Sequence, residues 1–129
     1  MHNGIMIQGF EWHLPDDGIL YDRIAAEAEL FKANGVTAVW LPPACKGTWS
    51  GDVGYGVYDL YDLGEFEQKG TVRTKYGTRE QLLRCIEALH AQDIQVYADI
   101  VLNHKAGADY AETCIGIPMD PNNREEQIG

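Results

Sequence analysis

Three stretches of the chain are short and almost continuously apolar: Ile5–Phe10, Val36–Leu41 and Ile94–Leu102. Runs of this length bounded by Gly, Pro and Asn read as buried strands. Pro42-Pro43 closes the second, because a proline ring cannot donate to a strand ladder. Elsewhere the apolar positions recur at helical spacing. Leu20, Ile24, Ala28 and Phe31 fall on one stripe, which predicts a single helix from Ile19 to Asn34, with Gly35 where a left-handed cap belongs. Thr78 and Gln81 have the spacing of a capping box, and Leu82, Ile86 and Leu89 form the stripe of a helix running to about Gln92. Beyond His104 the sequence turns polar and irregular, with a short strand expected near Glu112 to Ile117.

Between the second strand and the second helix lies a stretch from about Ala44 to Gly77 with no sustained period and glycines at 47, 51, 54, 56, 64, 70 and 77. A loop that long inside a compact domain is usually functional. The order of elements is βαβαβ, and strands that are apolar throughout suit a parallel sheet covered on both faces. All three strand C-termini then meet at one edge, together with the loops holding Glu11, Trp12, Asp52, Tyr55, Asn103 and His104. That edge is where ligands bind in α/β folds. Three strands are too few to close a sheet of either common type, so the chain reads as the beginning of something larger.

Composition narrows the function. The 129 residues carry 20 acidic and 10 basic side chains, a formal net charge of −10, and acidic residues lead on both sides of Gly64. Nucleic acid is thus an improbable partner, since phosphate binding needs a positive surface. No apolar run approaches the roughly 20 residues that span a bilayer. Nor does the start, Met1-His2-Asn3-Gly4, have a signal peptide's basic-then-apolar order, so a cytoplasmic location is expected. Cys45, Cys85 and Cys114 are odd in number and far apart, which suggests neither a disulfide framework nor a zinc site.

The chemistry-bearing residues cluster near the expected edge. Asp99 falls within the third apolar run, where an ionised carboxylate needs a cation, a polar network or a metal. Asn103 and His104 follow at once. An amide oxygen suits calcium, and an imidazole at a pocket mouth can donate to a sugar hydroxyl. Trp12, Trp49 and Tyr55 sit in loops beside glycines, where rings can lie against a pyranose or simply cover a core. Gly54-Tyr55-Gly56-Val57-Tyr58-Asp59 has Asp59 where a dinucleotide fingerprint needs glycine, and no phosphate loop occurs. A nucleotide-binding domain is nearly excluded on that ground.

Five stretches carry a resemblance: Gln8-Gly9-Phe10-Glu11-Trp12, Gly35 to Ala44, Asp52 to Phe66 (DVGYGVYDLYDLGEF), Lys69 to Thr78 (KGTVRTKYGT) and Asp99 to His104 (DIVLNH). Together they resemble the bacterial liquefying-type α-amylases of glycoside hydrolase family 13, over nearly the whole chain and in unbroken order. The resemblance implies an α/β fold, the N-terminal βαβαβ portion of a (β/α)8 TIM barrel. Residues 1–104 would belong to the catalytic barrel (domain A) and residues 105–129 to the start of an inserted domain B. It implies that Tyr55 stacks on the sugar at the cleaved subsite, His104 hydrogen-bonds that sugar, Trp12 and Gln8 line the cleft, Asp99 supports the active site and Asn103 is a calcium ligand. The expected activity is endo-hydrolysis of α-1,4-glucosidic bonds in starch, glycogen and maltooligosaccharides with retention. The nucleophile and general acid would lie beyond Gly129, leaving these residues alone inactive and inclined to self-associate. The other reading is a non-catalytic module that binds carbohydrate or a partner.

Overall fold

The computed structural model describes residues 3–128; Met1, His2 and Gly129, and with them part of the N-terminal stretch read above, lie outside it. A three-stranded parallel sheet is its centre, in the order β1 (Met6–Gln8), β2 (Ala38–Leu41), β5 (Gln95–Ala98). Ile7, Val39 and Val96 stand in one row across it. This row packs against α1 (Leu20–Ala26), α2 (Ala28–Ala33) and α3 (Arg79–Ala91), with Leu20, Ile24, Ala28, Leu82, Cys85 and Leu89 buried in the same core. Each Leu or Ile side chain taken from water there contributes about 1.5–3 kcal/mol. The opposite face is not covered as expected: Met6 is 50% exposed and Tyr97 48%, because the helices of the described residues all lie on the first face.

The apolar stripe from Leu20 to Phe31 forms as read, but the helix is not single. Glu27 sits at φ −92°, ψ 0°, and its N–H is shared between the carbonyls of Arg23 and Ile24 at 3.2 Å each, a tightening that separates α1 from α2. The following turn closes as the sequence suggests. Gly35 adopts φ +80°, donating to Lys32, while Val36 donates to Phe31, the two bonds of a Schellman cap. At the other helix the capping box is complete: the Thr78 hydroxyl accepts from Gln81 N–H and Gln81 Oε1 from Thr78 N–H.

The strands are shorter than the apolar runs. β5 ends at Ala98, so Asp99 is not inside a strand but in the loop leaving it, half-buried. No strand forms at Glu112 to Ile117, where Ile115 is fully exposed and has nothing to pack on. A hairpin follows instead, β6 (Met119–Asp120) with β7 (Asn123–Gln127), turned by Asp120 accepting from the N–H groups of Asn122 and Asn123. The long loop carries one hairpin, β3 (Lys46–Gly47) with β4 (Val57–Asp59). Among the described residues no helix is long and apolar enough to cross a membrane.

Candidate functional site

The long loop is ordered by two carboxylates that it folds around. Asp52 Oδ2 accepts from the N–H and hydroxyl of Thr48 at 3.0 and 2.8 Å, and Oδ1 accepts from Gly54 N–H at 2.9 Å and Gly56 N–H at 3.2 Å. Burial pushes this carboxyl up, but the hydrogen bonds outweigh it and hold Asp52 below the ordinary carboxylate range. Both glycines are required: Gly54 stands at φ +97°, and a Cβ on Gly56 would collide with Asp52 Oδ2. The Gly-Tyr-Gly turn is therefore a fixed pedestal for Tyr55. Asp62 does the same further on, Oδ1 accepting from Gly64, Glu65 and Phe66, while its Oδ2 stands 3.4 Å from the Nζ of Lys46. Lys46 is fully buried and donates to the carbonyls of Phe66, Thr71 and Val72.

At the C-terminal edge of the sheet a cavity of about 450 Å³ opens between the exits of β1 and β2 and this loop, lined by Gln8, Glu11, Trp12, Trp40, Tyr55 and Tyr76 among others. Trp12 and Tyr55 lie nearly parallel, 9° apart with centroids at 6.2 Å. Trp40 is held edge-on to Phe10, and the Tyr76 hydroxyl donates to the Val53 carbonyl at 2.9 Å. The Gln8 amide donates to the Phe10 carbonyl at 2.9 Å, which orients its side chain along the rim. Apolar walls with a polar rim suit a flat ring that has C–H faces and hydroxyl edges.

Tyr55 is gripped from the third-strand exit at both ends. Its hydroxyl donates to Asp99 Oδ2 at 2.8 Å, and burial together with that carboxylate pushes the phenol up to about 12, so it stays a donor at any working pH. Its backbone carbonyl accepts from His104 Nε2 at 2.8 Å. Because a carbonyl can only accept, the imidazole carries its proton on Nε2, and Nδ1 accepts from the Asn103 amide at 3.2 Å. Both ring nitrogens of His104 thus have protein partners here, and a sugar hydroxyl would have to take the place of the Tyr55 carbonyl to reach Nε2. The two segments stay joined further on: Ala106 N–H donates to the Val57 carbonyl at 2.7 Å, and Asp109 accepts from the Tyr58 hydroxyl and from Lys69, whose ammonium lies 4.1 Å from the Tyr58 ring centroid.

Of the residues singled out in the sequence, Gln8, Trp12 and Tyr55 line the cavity, and Asp99, Asn103 and His104 back it through Tyr55. The partner of Asp99 is a phenol, not a cation or metal. Asn103 keeps its amide oxygen free of the His104 bond, so it can serve as one hard ligand. Among the described residues, however, no three His, Cys, Asp or Glu side chains are grouped to hold a metal, and a calcium site would need oxygens from outside them. Sequence reasoning missed the Lys46–Asp62 pair and the Tyr58–Asp109–Lys69 contact. The Asp62-Leu63-Gly64 spacing was a turn signal for part of the first; nothing in the sequence marks a lysine that will be buried by carbonyls distant along the chain.

Among the described residues Glu11 is the one carboxylate that lines the cavity, so no carboxylate pair faces it, and the neighbouring acids are engaged elsewhere. Glu11 accepts from the His13 N–H at 2.6 Å, Asp99 from Tyr55, and Asp52 is saturated by its own loop.

A family model described as alpha amylase, catalytic domain, matches residues 23–115. The chain is 58% identical over 126 residues to an alpha-amylase of Geobacillus stearothermophilus, an alignment covering 98% of this chain and 23% of that protein. It is 56% identical over 126 residues to a glucan 1,4-alpha-maltohexaosidase of Bacillus sp. (strain 707), covering 98% and 24%. The chain therefore spans about a quarter of the length of the curated relatives it matches. Among solved structures, a truncated alternansucrase from Leuconostoc mesenteroides superposes with a TM-score of 0.61 at 32% identity, over 74% of this chain and 10% of that one. The parallel sheet, the loops gathered at its C-terminal edge and the family match over residues 23–115 agree, and this chain belongs to the alpha-amylase catalytic-domain family.

Proposed function

We propose that residues 1–104 form the first three strands of a (β/α)8 barrel, that residues 105–129 begin an inserted domain B, and that the complete protein is a retaining α-amylase. Its substrates are α-1,4-glucans: starch, glycogen and maltooligosaccharides. The observation that carries this reading is the Trp12–Tyr55 slot, whose tyrosine is locked through its hydroxyl and its carbonyl. At this cavity Tyr55 stacks on the sugar at the cleaved bond, Trp12 and Gln8 wall the cleft, and His104 exchanges the Tyr55 carbonyl for a sugar hydroxyl. Asp99 acts through Tyr55 as a positioning residue.

The open face of the sheet is the barrel interior in this reading, which accounts for the exposure of Tyr97. Retention needs two carboxyls about 5 Å apart across one bond. Glu11 is the one carboxylate that lines this cavity among the described residues, so the reacting pair comes from other strands. Asn103 would supply one oxygen to a calcium ion whose other ligands lie outside the described residues, and calcium bound there would brace the segment after β5. A cytoplasmic place of action is part of the same proposal.

Reducing-end release from soluble starch and from dextran, with the product anomer followed by NMR, tests the reading on the complete protein. The expected result is cleavage of starch, none of dextran, and α-configured products. Binding of starch without cleavage would replace it with the non-catalytic module, and β-configured products would contradict retention.

A further inference from the structure

Trp49 is an exposed aromatic that the cleft does not use. It is 60% exposed, yet the backbone on either side of it is anchored. Thr48 is held by Asp52, the Trp49 carbonyl accepts from Asp52 N–H at 3.1 Å, and the Ser50 hydroxyl donates to Asp16 at 2.9 Å. The indole lies against Gly51. A Cβ built on Gly51 would lie 2.5, 2.6 and 3.1 Å from Cη2, Cζ3 and Cζ2. An in-plane approach to the Cη2–Cζ3 edge would leave Cζ2 much farther away, so these distances put Gly51 under the face of the ring. Gly51 is buried, and a side chain there would push the indole aside.

One face of the indole therefore lies on backbone while the ring remains open to solvent. It is not taken up by stacking: the aromatic pairs among the described residues are Phe10–Trp40, Trp12–Tyr55 and Tyr21–Tyr76. An indole with one face against backbone and the other open offers an apolar surface on which the C–H face of a pyranose can lie. The ring also lies on the right edge. Asp16, which holds Ser50, follows Trp12 in the β1 exit loop, and Thr48 abuts Gly107, three residues beyond His104.

We propose that Trp49 is an additional platform for an α-glucan chain, outside the Trp12–Tyr55 slot, which takes sugar units remote from the cleaved bond. The proposal rests on the α-amylase reading above. Substrates long enough to reach Trp49 then gain affinity that short ones do not.

The test compares the complete parent protein, Trp49→Ala and Trp49→Phe, with maltotriose and maltoheptaose as substrates and with maltoheptaose titrated against tryptophan fluorescence. Trp49→Ala should lower kcat/KM for maltoheptaose about three- to tenfold more than for maltotriose, chiefly through KM, and should abolish part of the fluorescence change. Trp49→Phe, which keeps a ring, should restore most of the difference. An active parent whose chain-length preference is the same in both variants overturns the platform. A parent that cleaves neither sugar but binds maltoheptaose through Trp49 overturns the α-amylase reading and leaves the platform standing. A parent that cleaves neither and quenches equally in Trp49→Ala overturns both.

Discussion

The hydroxyl of Tyr55 donates to the carboxylate of Asp99 at 2.8 Å across 44 residues of sequence, joining the long loop to the exit of the third strand of the sheet. The bond does two jobs. It gives Asp99, half-buried beside apolar chain, the donor that an ionised carboxylate needs, and it removes the rotational freedom of the ring that walls the cavity. With the His104 bond to the carbonyl of the same residue, it makes Tyr55 the point at which the two segments meet.

The contact of Asp109 with Tyr58 and Lys69 closes the same junction farther out. It is solvent-exposed at Asp109, so Asp109→Ala should leave stability almost unchanged. The effect should appear in catalysis, where a small displacement of the His104 segment lowers kcat several-fold more than it raises KM. Steady-state kinetics of the complete protein on maltoheptaose check this; a pure loss of stability with unchanged kcat would show that the contact positions nothing.

Lys46→Met should be the most disruptive single change outside the cavity. It leaves the Asp62 carboxylate and three carbonyls buried without their cation, a loss of about 3–5 kcal/mol. Urea unfolding of Lys46→Met, Asp62→Asn and the double variant measures it, and the double variant should cost less than the sum of the singles. Strict additivity would show that the pair is not coupled.

Asp52 carries a pH signature. Its carboxyl is held below its ordinary range in the folded chain, so the stability it contributes is complete above about pH 4, the unfolded value, and is lost as pH falls through the folded value. Asp52→Asn should therefore cost about 1–3 kcal/mol at pH 7, and the gap from the parent should narrow below about pH 4. Melting temperatures recorded from pH 7 to pH 3 decide it; a constant gap would mean that the charge is not what orders the loop.

Much of this was legible in the sequence because it depends on local rules. Pro42-Pro43 ends a strand, Thr78 and Gln81 cap a helix, and Gly35 caps another, whatever the rest of the chain does. The motif residues Tyr55 and His104 were legible through their resemblance to a family, and the parallel order of the strands explains why they come together. What escaped was set by distant contacts. The break at Glu27 comes from a shared hydrogen bond that leaves the apolar stripe intact, and the burial of Lys46 depends on carbonyls 20 to 26 residues away. Asp99 was placed inside a strand because hydrophobicity continues past Ala98 after the ladder has stopped.

Asp93 offers a check on backbone strain. It holds φ +54° at the end of α3, where Ile94 N–H bonds the Leu89 carbonyl and Asp93 N–H the His90 carbonyl, the place in this cap that favours glycine. Its exposed pair with Lys32 at 3.5 Å contributes little. Asp93→Gly should stabilise by about 0.5–1 kcal/mol, read as a rise in melting temperature, and a destabilised variant would place the weight on the ion pair instead.

The central claim, that Tyr55 is the ring against the reacting sugar, is tested most directly by kcat/KM for maltoheptaose in the complete protein carrying Tyr55→Ala or Tyr55→Phe. The account predicts a loss of about one to three orders of magnitude for alanine, which removes both stacking and the Asp99 bond, and about tenfold for phenylalanine, which keeps the ring. Values within twofold of the parent in a folded Tyr55→Ala protein would contradict it.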